Sequence, residues 1–225
     1  MGELVIDVTE PRGPMPKSAD DKPFVYVVDD DDQAREYVTW VLESAGWAVK
    51  AYPSADLFLD DYNPAVPGCL VSDVRMPGLS GLDLQRELSA RSIELPIIMI
   101  SAFAEVPMAV RAMRDGAMDF LEKPFDGQTL LERVRSAVDA DRQRRQDDAE
   151  RKAVESSFAK LSPRQRAVLE GLTDGKPSKV IAAELGVSPR TVDVHRFRLM
   201  RQLGAESLPD LFRRVVLVRG GRSST

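Results

Sequence analysis

The chain has 225 residues but one cysteine and one histidine, which excludes an internal disulfide and any cysteine-based zinc cluster. Cys69 alone reads as a small buried strand residue. Long apolar runs are missing too. The longest, such as Pro96-Ile97-Ile98-Met99-Ile100, fall far short of the roughly 18 residues of a membrane-spanning helix, so no membrane partner is expected. Gly and Pro number 14 and 15, too few for a low-complexity chain, while 43% hydrophobic and 30% charged residues suit a globular one. The first 23 residues carry Asp, Glu and four prolines without a cationic start and an apolar block, so they do not read as a secretion signal and a cytoplasmic location is expected. The length fits one large domain or two modest ones, and two are expected.

A net charge of −5 spread evenly would argue against a nucleic-acid partner, but the charge is divided. Residues 1–150 hold 16 basic against 29 acidic side chains, a net −13, and residues 151–225 hold 15 against 7, a net +8. An acidic body with a basic end suggests two functions, the basic part being the candidate for attraction to a phosphate backbone.

Residues 1–22 show no sustained period and read as a mobile tail. From Phe24 short apolar runs alternate with helix-period segments: 24–28 then 32–45, 48–52 then 54–61, 69–72 then 81–91, 96–100 then about 107–115, and 118–121 before a helix starting near Gly127. Five strands alternating with five helices predict an α/β doubly wound five-stranded parallel sheet covered on both faces. In such a sheet ligands collect beyond the carboxyl ends of the strands. That rule selects Asp29 and Asp30 after the first run, Asp73 at the third, Ser101 at the fourth and Lys123 after the fifth. Any one of them could simply cap a strand; together they suggest chemistry. Three carboxylates at one edge repel one another unless a cation compensates, and with oxygen donors and no nearby His or Cys, Mg2+ fits best, with Mn2+ as a substitute. Lys123 adds a cation and the Ser101 hydroxyl can donate to a phosphoryl oxygen. In the central strand, Asp73 takes the nucleophile role in phosphoryl transfer, with Asp29 and Asp30 on the metal.

Four segments, Val28-Asp29-Asp30-Asp31, Ser72-Asp73-Val74-Arg75-Met76-Pro77-Gly78, Ile100-Ser101-Ala102 and Asp119-Phe120-Leu121-Glu122-Lys123-Pro124-Phe125, resemble the receiver domain of two-component response regulators. The resemblance implies that a sensor histidine kinase phosphorylates Asp73, that Ser101 and Lys123 assist, and that the Arg75 carbonyl joins Asp29, Asp30 and Asp73 around Mg2+. It further implies a cis Lys123-Pro124 bond and a switch pair of Ser101 and Phe120. Many relatives have Tyr where Phe120 stands, so a switching step that needs that hydroxyl is missing here. Plain core packing is the other reading of Phe120. A rival class is a hydrolase of the haloacid-dehalogenase type using Asp73 as covalent nucleophile, but such enzymes offer a second Asp two residues on, where this chain has Arg75.

After Val138 the apolar period lapses, and 139–152 is nearly all polar. No Pro or Gly interrupts 128–161, which suggests one long helix leaving the receiver; a flexible charged tether is the alternative. Ser162-Pro163 then opens a helix to about Thr173, and residues 176–192 read as helix, turn at Gly186 and second helix capped by Ser188, a helix-turn-helix pattern. With Val192, Leu199 and Leu203 on the core stripe, the outer face carries Arg190, Val194, Phe197 and Arg201 with Asp193 and Arg198 beside them; His195 reads as a packed or capping residue, not a catalyst. Residues 161–219 resemble the LuxR-type DNA-binding domain, most clearly over 188–196, and the combination resembles the NarL/FixJ family, closest to its FixJ-like branch. The resemblance implies an all-α four-helix domain whose helix from Pro189 enters the major groove and whose helix 207–218 pairs two subunits on promoter DNA. The candidate DNA contacts are Lys179, Arg190, Thr191, Asp193, Val194, Phe197, Arg198 and Arg201. The alternative is a protein-interaction or RNA-binding module. The expected organisation is a tail at 1–22, a receiver at 23–138, a helical linker at 139–158, a DNA-binding domain at 159–220 and a tail at 221–225. Expected partners are the kinase, double-stranded promoter DNA, RNA polymerase and, on phosphorylation, a second copy; a receiver that is dimeric throughout is the alternative.

Overall fold

Five short strands form the centre of the first unit: β1 (Phe24–Val28), β2 (Ala48–Tyr52), β3 (Gly68–Asp73), β4 (Ile97–Ser101) and β5 (Asp119–Glu122), all parallel in the order β2-β1-β3-β4-β5. The computed structural model describes residues 22–102 and 105–220; residues 1–21 of the expected N-terminal tail and the expected tail at 221–225 lie outside the described residues. Alternate side chains of each strand enter opposite cores because successive residues point to opposite faces. Val25, Val27, Cys69, Val71, Ile98 and Ile100 pack under α1 (Asp32–Ser44) and the start of α5 (Gly127–Ala159), contributing to one cluster with Val38, Leu42, Leu130 and Val134. Tyr26, Val28, Leu70 and Met99 face α2 (Ala55–Asp61), α3 (Gly81–Ala90) and α4 (Val106–Arg114). Burial on both faces explains why β1, β3 and β4 read as nearly continuous apolar runs. Cys69 is fully buried, and burial pushes its thiol pKa up.

The chain divides into two compact units, Met1–Arg144 and Arg145–Thr225. The first unit reaches further along α5 than the apolar period suggests, because Asp141, in the stretch the sequence presents as polar, is 0% exposed. Its Oδ2 accepts the Gly68 N–H at 3.0 Å, so it closes the start of β3 where a strand would otherwise leave a buried donor without a partner. Arg144 pairs with the other Asp141 oxygen at 2.5 Å.

In the second unit α6 (Pro163–Thr173), α7 (Ser178–Leu185), α8 (Pro189–Gln202) and α9 (Leu208–Gly220) enclose Val168, Leu169, Leu172, Ile181, Val192, Leu199, Leu203 and Leu211. Ser162 and Gln165 form a capping box on α6, and Ser188 caps α8 by accepting the Thr191 N–H. Between α7 and α8, Gly186 stands at φ 62 and ψ 39, the left-handed conformation that glycine adopts without a Cβ clash and that ends a helix sharply.

Candidate functional site

The strand order reverses direction between β1 and β3, and the crevice at their carboxyl ends is where an open α/β sheet binds ligands. Register places Val28 opposite Ser72, Asp73 opposite Ile100 and Ser101 opposite Glu122, so the polar residues that follow or end these strands come to one edge. Lys123 crosses that edge. Its Nζ donates to Asp29 Oδ2 and to Asp73 Oδ1, each at 2.7 Å, joining side chains 94 and 50 residues away in sequence. Asp29 is 1% exposed, Asp73 7% and Ser101 1%.

The acidic residues after β1 stand in different surroundings. Asp29 turns inward, and its Oδ1 accepts the Asp31 N–H at 3.0 Å. Asp31 is the N-cap of α1, accepting from the Gln33 and Ala34 N–H groups. Asp30 is exposed. The structure therefore brings Asp29 and Asp73 together at one ammonium group, while the neighbouring Asp30 is open to solvent. Arg35 is a member that sequence patterning does not reveal: its guanidinium donates to the Asp29 carbonyl at 2.7 Å and pairs with Asp32, holding the turn after β1. On the other side, Asp73 Oδ2 accepts the Arg75 N–H at 2.6 Å, Ser72 Oγ donates to the Asp73 carbonyl at 3.0 Å, and the Gly81 N–H donates to the Val74 carbonyl at 3.0 Å. The Lys123 N–H donates to the Ser101 carbonyl at 2.8 Å, and the Lys123-Pro124 peptide bond is cis. Phe120 is half-buried against the cluster containing Leu84, Met99 and Ala112.

Burial raises the Asp29 carboxyl above its ordinary pKa despite the hydrogen bond and charge of Lys123, which pull it down. Burial acts in the opposite sense on Lys123, lowering it, but the hydrogen bonds and charges of Asp29 and Asp73 prevail and its pKa stands above that of a free lysine. Two carboxylates share one cation. The available donors are hard oxygens, and Mg2+ ordinarily takes one or two carboxylates while keeping several waters. Among the described residues no three His, Cys, Asp or Glu side chains form a ready-made metal cluster. The donor set thus suits a metal held partly by water and ligand rather than a closed protein cage.

A stability test follows. A carboxyl with a raised folded pKa keeps its proton where the unfolded chain has lost it, so its contribution falls as pH rises from its unfolded pKa through the raised folded value. In chelator-containing, metal-free buffer, Asp29→Asn is expected to stabilise the receiver at pH 7, because it removes a charge that burial disfavours while Lys123 keeps Asp73 as its partner. The advantage shrinks as pH falls toward the carboxylate range, where wild-type Asp29 is protonated as well. Urea titrations at both pH values measure it, and a variant less stable than wild type at pH 7 would refute the assignment.

The second unit offers a different surface. Arg190, Val194, Phe197 and Arg201 lie exposed along α8, with Asp193 and Arg198 also exposed, Thr191 half-buried and Lys179 exposed on α7. Phe197 is 64% exposed and Val194 44%, an unusual outlay of apolar area on a charged helix. Val192 and Leu199 on the opposite side of α8 are 0% exposed.

Residues 25–135 match the family model described as response regulator receiver domain, and residues 159–215 match bacterial regulatory proteins of the luxR family. The transcriptional regulatory protein FixJ of Azorhizobium caulinodans is 48% identical over 194 residues, covering 86% of this chain and 92% of that protein. Nodulation protein W of Bradyrhizobium diazoefficiens is 45% identical over 195 residues, covering 87% of this chain and 86% of its own length. Among solved structures, the response regulator StyR aligns with a TM-score of 0.77 at 42% identity, covering 86% of this chain and 98% of that one.

Proposed function

Because this chain belongs to the response regulators that join a receiver domain to a LuxR-type DNA-binding domain, as FixJ does, we propose that Asp73 is the residue through which it receives its signal. The protein is a transcriptional regulator of the two-component type. The observation that supports the assignment of Asp73 is the Lys123 ammonium lying 2.7 Å from both Asp29 and Asp73 at the crevice between β1 and β3. Asp73 attacks the phosphorus of a phosphohistidine on a sensor kinase; a carboxylate P–O bond forms as the P–N bond breaks. The chain carries its own catalytic groups for gaining and losing the phosphoryl group, so small phosphodonors serve as well. Lys123 follows the charge as it moves onto the phosphoryl oxygens, and the buried Ser101 hydroxyl donates to one of them. Asp29, Asp30, Asp73 and the Arg75 carbonyl would hold Mg2+, or Mn2+ in its place. When bound, the metal supplies neutralisation of charge on the transferring oxygens. Incubation with acetyl phosphate and Mg2+ is expected to give a labile phosphoryl adduct that maps to Asp73; an adduct on another residue would overturn the assignment.

The receiver begins at residue 23 and takes α5 as far as Arg144, since Asp141 bonds to Gly68 of β3; the rest of that helix, to residue 158, is the linker that precedes the DNA-binding domain at 159–220. Phosphorylation draws Ser101 toward the phosphoryl group and lets Phe120 turn inward, biasing the surface around 107–125 toward pairing with a second receiver. Val106, Val110, Met113 and Met118, exposed at 74, 43, 46 and 38%, give that surface its apolar character. Promoter DNA is bound by two subunits, with α8 of each in the major groove and α9, whose Phe212 and Val216 are exposed, pairing them. RNA polymerase is the partner to which such a promoter-bound dimer is relevant. The protein acts in the cytoplasm, where kinase and DNA meet; no helix among the described residues is long and apolar enough to cross a membrane.

Arg190→Ala or Arg201→Ala is expected to cost about 1–3 kcal/mol of DNA affinity if the arginine reads a base, with preference relaxed at one position. A loss equal on all duplexes would make it a phosphate contact. Anisotropy titrations from low to high salt should show steep weakening; a flat response contradicts the basic face.

A further inference from the structure

Asp193 is the one acidic side chain on the exposed face of α8, among Arg190, Arg196, Arg198 and Arg201. Arg190 and Arg196 lie three positions away on either side, within ordinary reach of an ion pair along a helix. Among the described residues neither pairs with it. The carboxylate instead accepts from a neutral group on another helix: Ser178 Oγ, at the first residue of α7, donates to Asp193 Oδ1 at 3.0 Å. The arrangement keeps the arginine charges available and leaves the negative charge of Asp193 without a cation. It also crosslinks α7 to α8, which fixes the direction of the carboxylate while its second oxygen carries no bond among the described residues.

On a surface that attracts phosphates, an uncompensated carboxylate weakens binding to every duplex alike unless it gains something at a particular sequence. The major groove offers a carboxylate only two kinds of donor, the N4 amino group of cytosine and the N6 amino group of adenine. Adenine sets its N7 acceptor beside that amino group, which repels a carboxylate, whereas cytosine does not. We infer that Asp193, oriented by Ser178, is a specificity-determining residue that accepts a hydrogen bond from cytosine N4 in each half-site and discriminates against other bases there. The inference rests on the reading of α8 as the major-groove helix. Asp193 touches the base, and Ser178 is a positioning residue that acts through it.

The test selects binding sites for the full-length protein from a random duplex library, then measures affinities for the selected site and its single-base-pair substitutions. Wild type should require a C·G pair at one position of each half-site, with about tenfold loss when it is replaced. Asp193→Ala should become indifferent at that position, keep its other preferences, and bind unrelated duplexes more tightly than wild type. Asp193→Asn should shift the preference toward adenine, since an amide both donates to N7 and accepts from N6. Ser178→Ala should blunt the cytosine preference while leaving the rest of the selected sequence unchanged. Selected sites without such a cytosine overturn the inference. So do variants whose preference is unchanged, or whose affinity falls uniformly with a lower melting temperature, which is the signature of a merely structural bracket. Failure of wild type to bind any duplex would instead remove the DNA-binding reading itself, so the two failures are distinct.

Discussion

Asp73→Asn is expected to abolish covalent phosphorylation by acetyl phosphate and by any kinase that recognises the receiver. The substitution keeps the size of the side chain and its capacity to accept the Arg75 N–H, whose present distance to Asp73 Oδ2 is 2.6 Å. It removes the charge that makes the group nucleophilic and that Lys123 now shares with Asp29. An amide does not form the acyl phosphate, so the loss should be complete rather than partial. The fold should persist, because Lys123 retains Asp29. Intact-mass measurement after incubation with acetyl phosphate and Mg2+ is the readout, with circular dichroism as the control for folding. Persistent acid-stable but base-labile label on the variant would locate the nucleophile elsewhere.

A large effect of a scaffold residue is expected at Gly81. A Cβ there would lie 2.1 Å from the Asp73 carbonyl oxygen and 3.0 Å from Ser72 Oγ. The nearer obstacle is backbone, so neither rotamer change nor a flexible side chain relieves it. Gly81→Ala should therefore destabilise the receiver by about 3 kcal/mol, at the upper end of overpacking costs. At roughly 3 °C per kcal/mol for a chain of this size, its melting transition should fall by about 10 °C. Moving the Asp73 carbonyl also displaces the carboxylate from Lys123, so labelling by acetyl phosphate should slow as well, even at a temperature where the variant is folded. Gly127→Ala is the contrasting substitution. A Cβ there would meet its nearest heavy atom, Val41 Cγ1, at 3.4 Å, and the first turn of α5 accepts an alanine, so stability should stay level or rise by about 0.5 kcal/mol. Thermal melts of the two variants side by side decide the matter; equal behaviour would mean that the close approach at Gly81 relaxes freely.

The parts of this protein that could be read in the sequence are those governed by short-range pattern. Strands with apolar side chains on both faces announce themselves, and the rule that ligands gather beyond their carboxyl ends picks Asp29, Asp30, Asp73, Ser101 and Lys123 from one line of letters. The helix-turn-helix was legible for a similar reason: Gly186 and the Ser188-Pro189 start are local signals. What escaped depends on contacts that span the chain. Asp141 looks like one more charge in a polar stretch, and nothing near it in sequence says that its carboxylate closes the start of β3 at Gly68, 73 residues earlier. Arg35 resembles any solvent-facing helix residue until the turn after β1 is folded beside it. The separate tasks of Asp29 and Asp31 likewise follow from the direction of each bond leaving the strand, which a run of identical acidic letters does not encode. Edges of elements shifted only slightly: β3 extends to Gly68 and Asp73, and β4 ends on Ser101 rather than just before it.

Coupling between the two units is the claim on which the regulatory account depends, and DNA affinity with and without phosphoryl donor measures it directly. The full-length protein should be titrated onto a duplex with two half-sites and onto one with a single half-site, before and after treatment with acetyl phosphate and Mg2+. Pairing of receivers makes the second contact intramolecular, so affinity for the double site should rise about tenfold or more while affinity for the single site changes little. Asp73→Asn should show no rise at the double site. Equal affinities for the double site before and after phosphorylation of Asp73, or the same rise in the Asp73→Asn protein, would contradict the account.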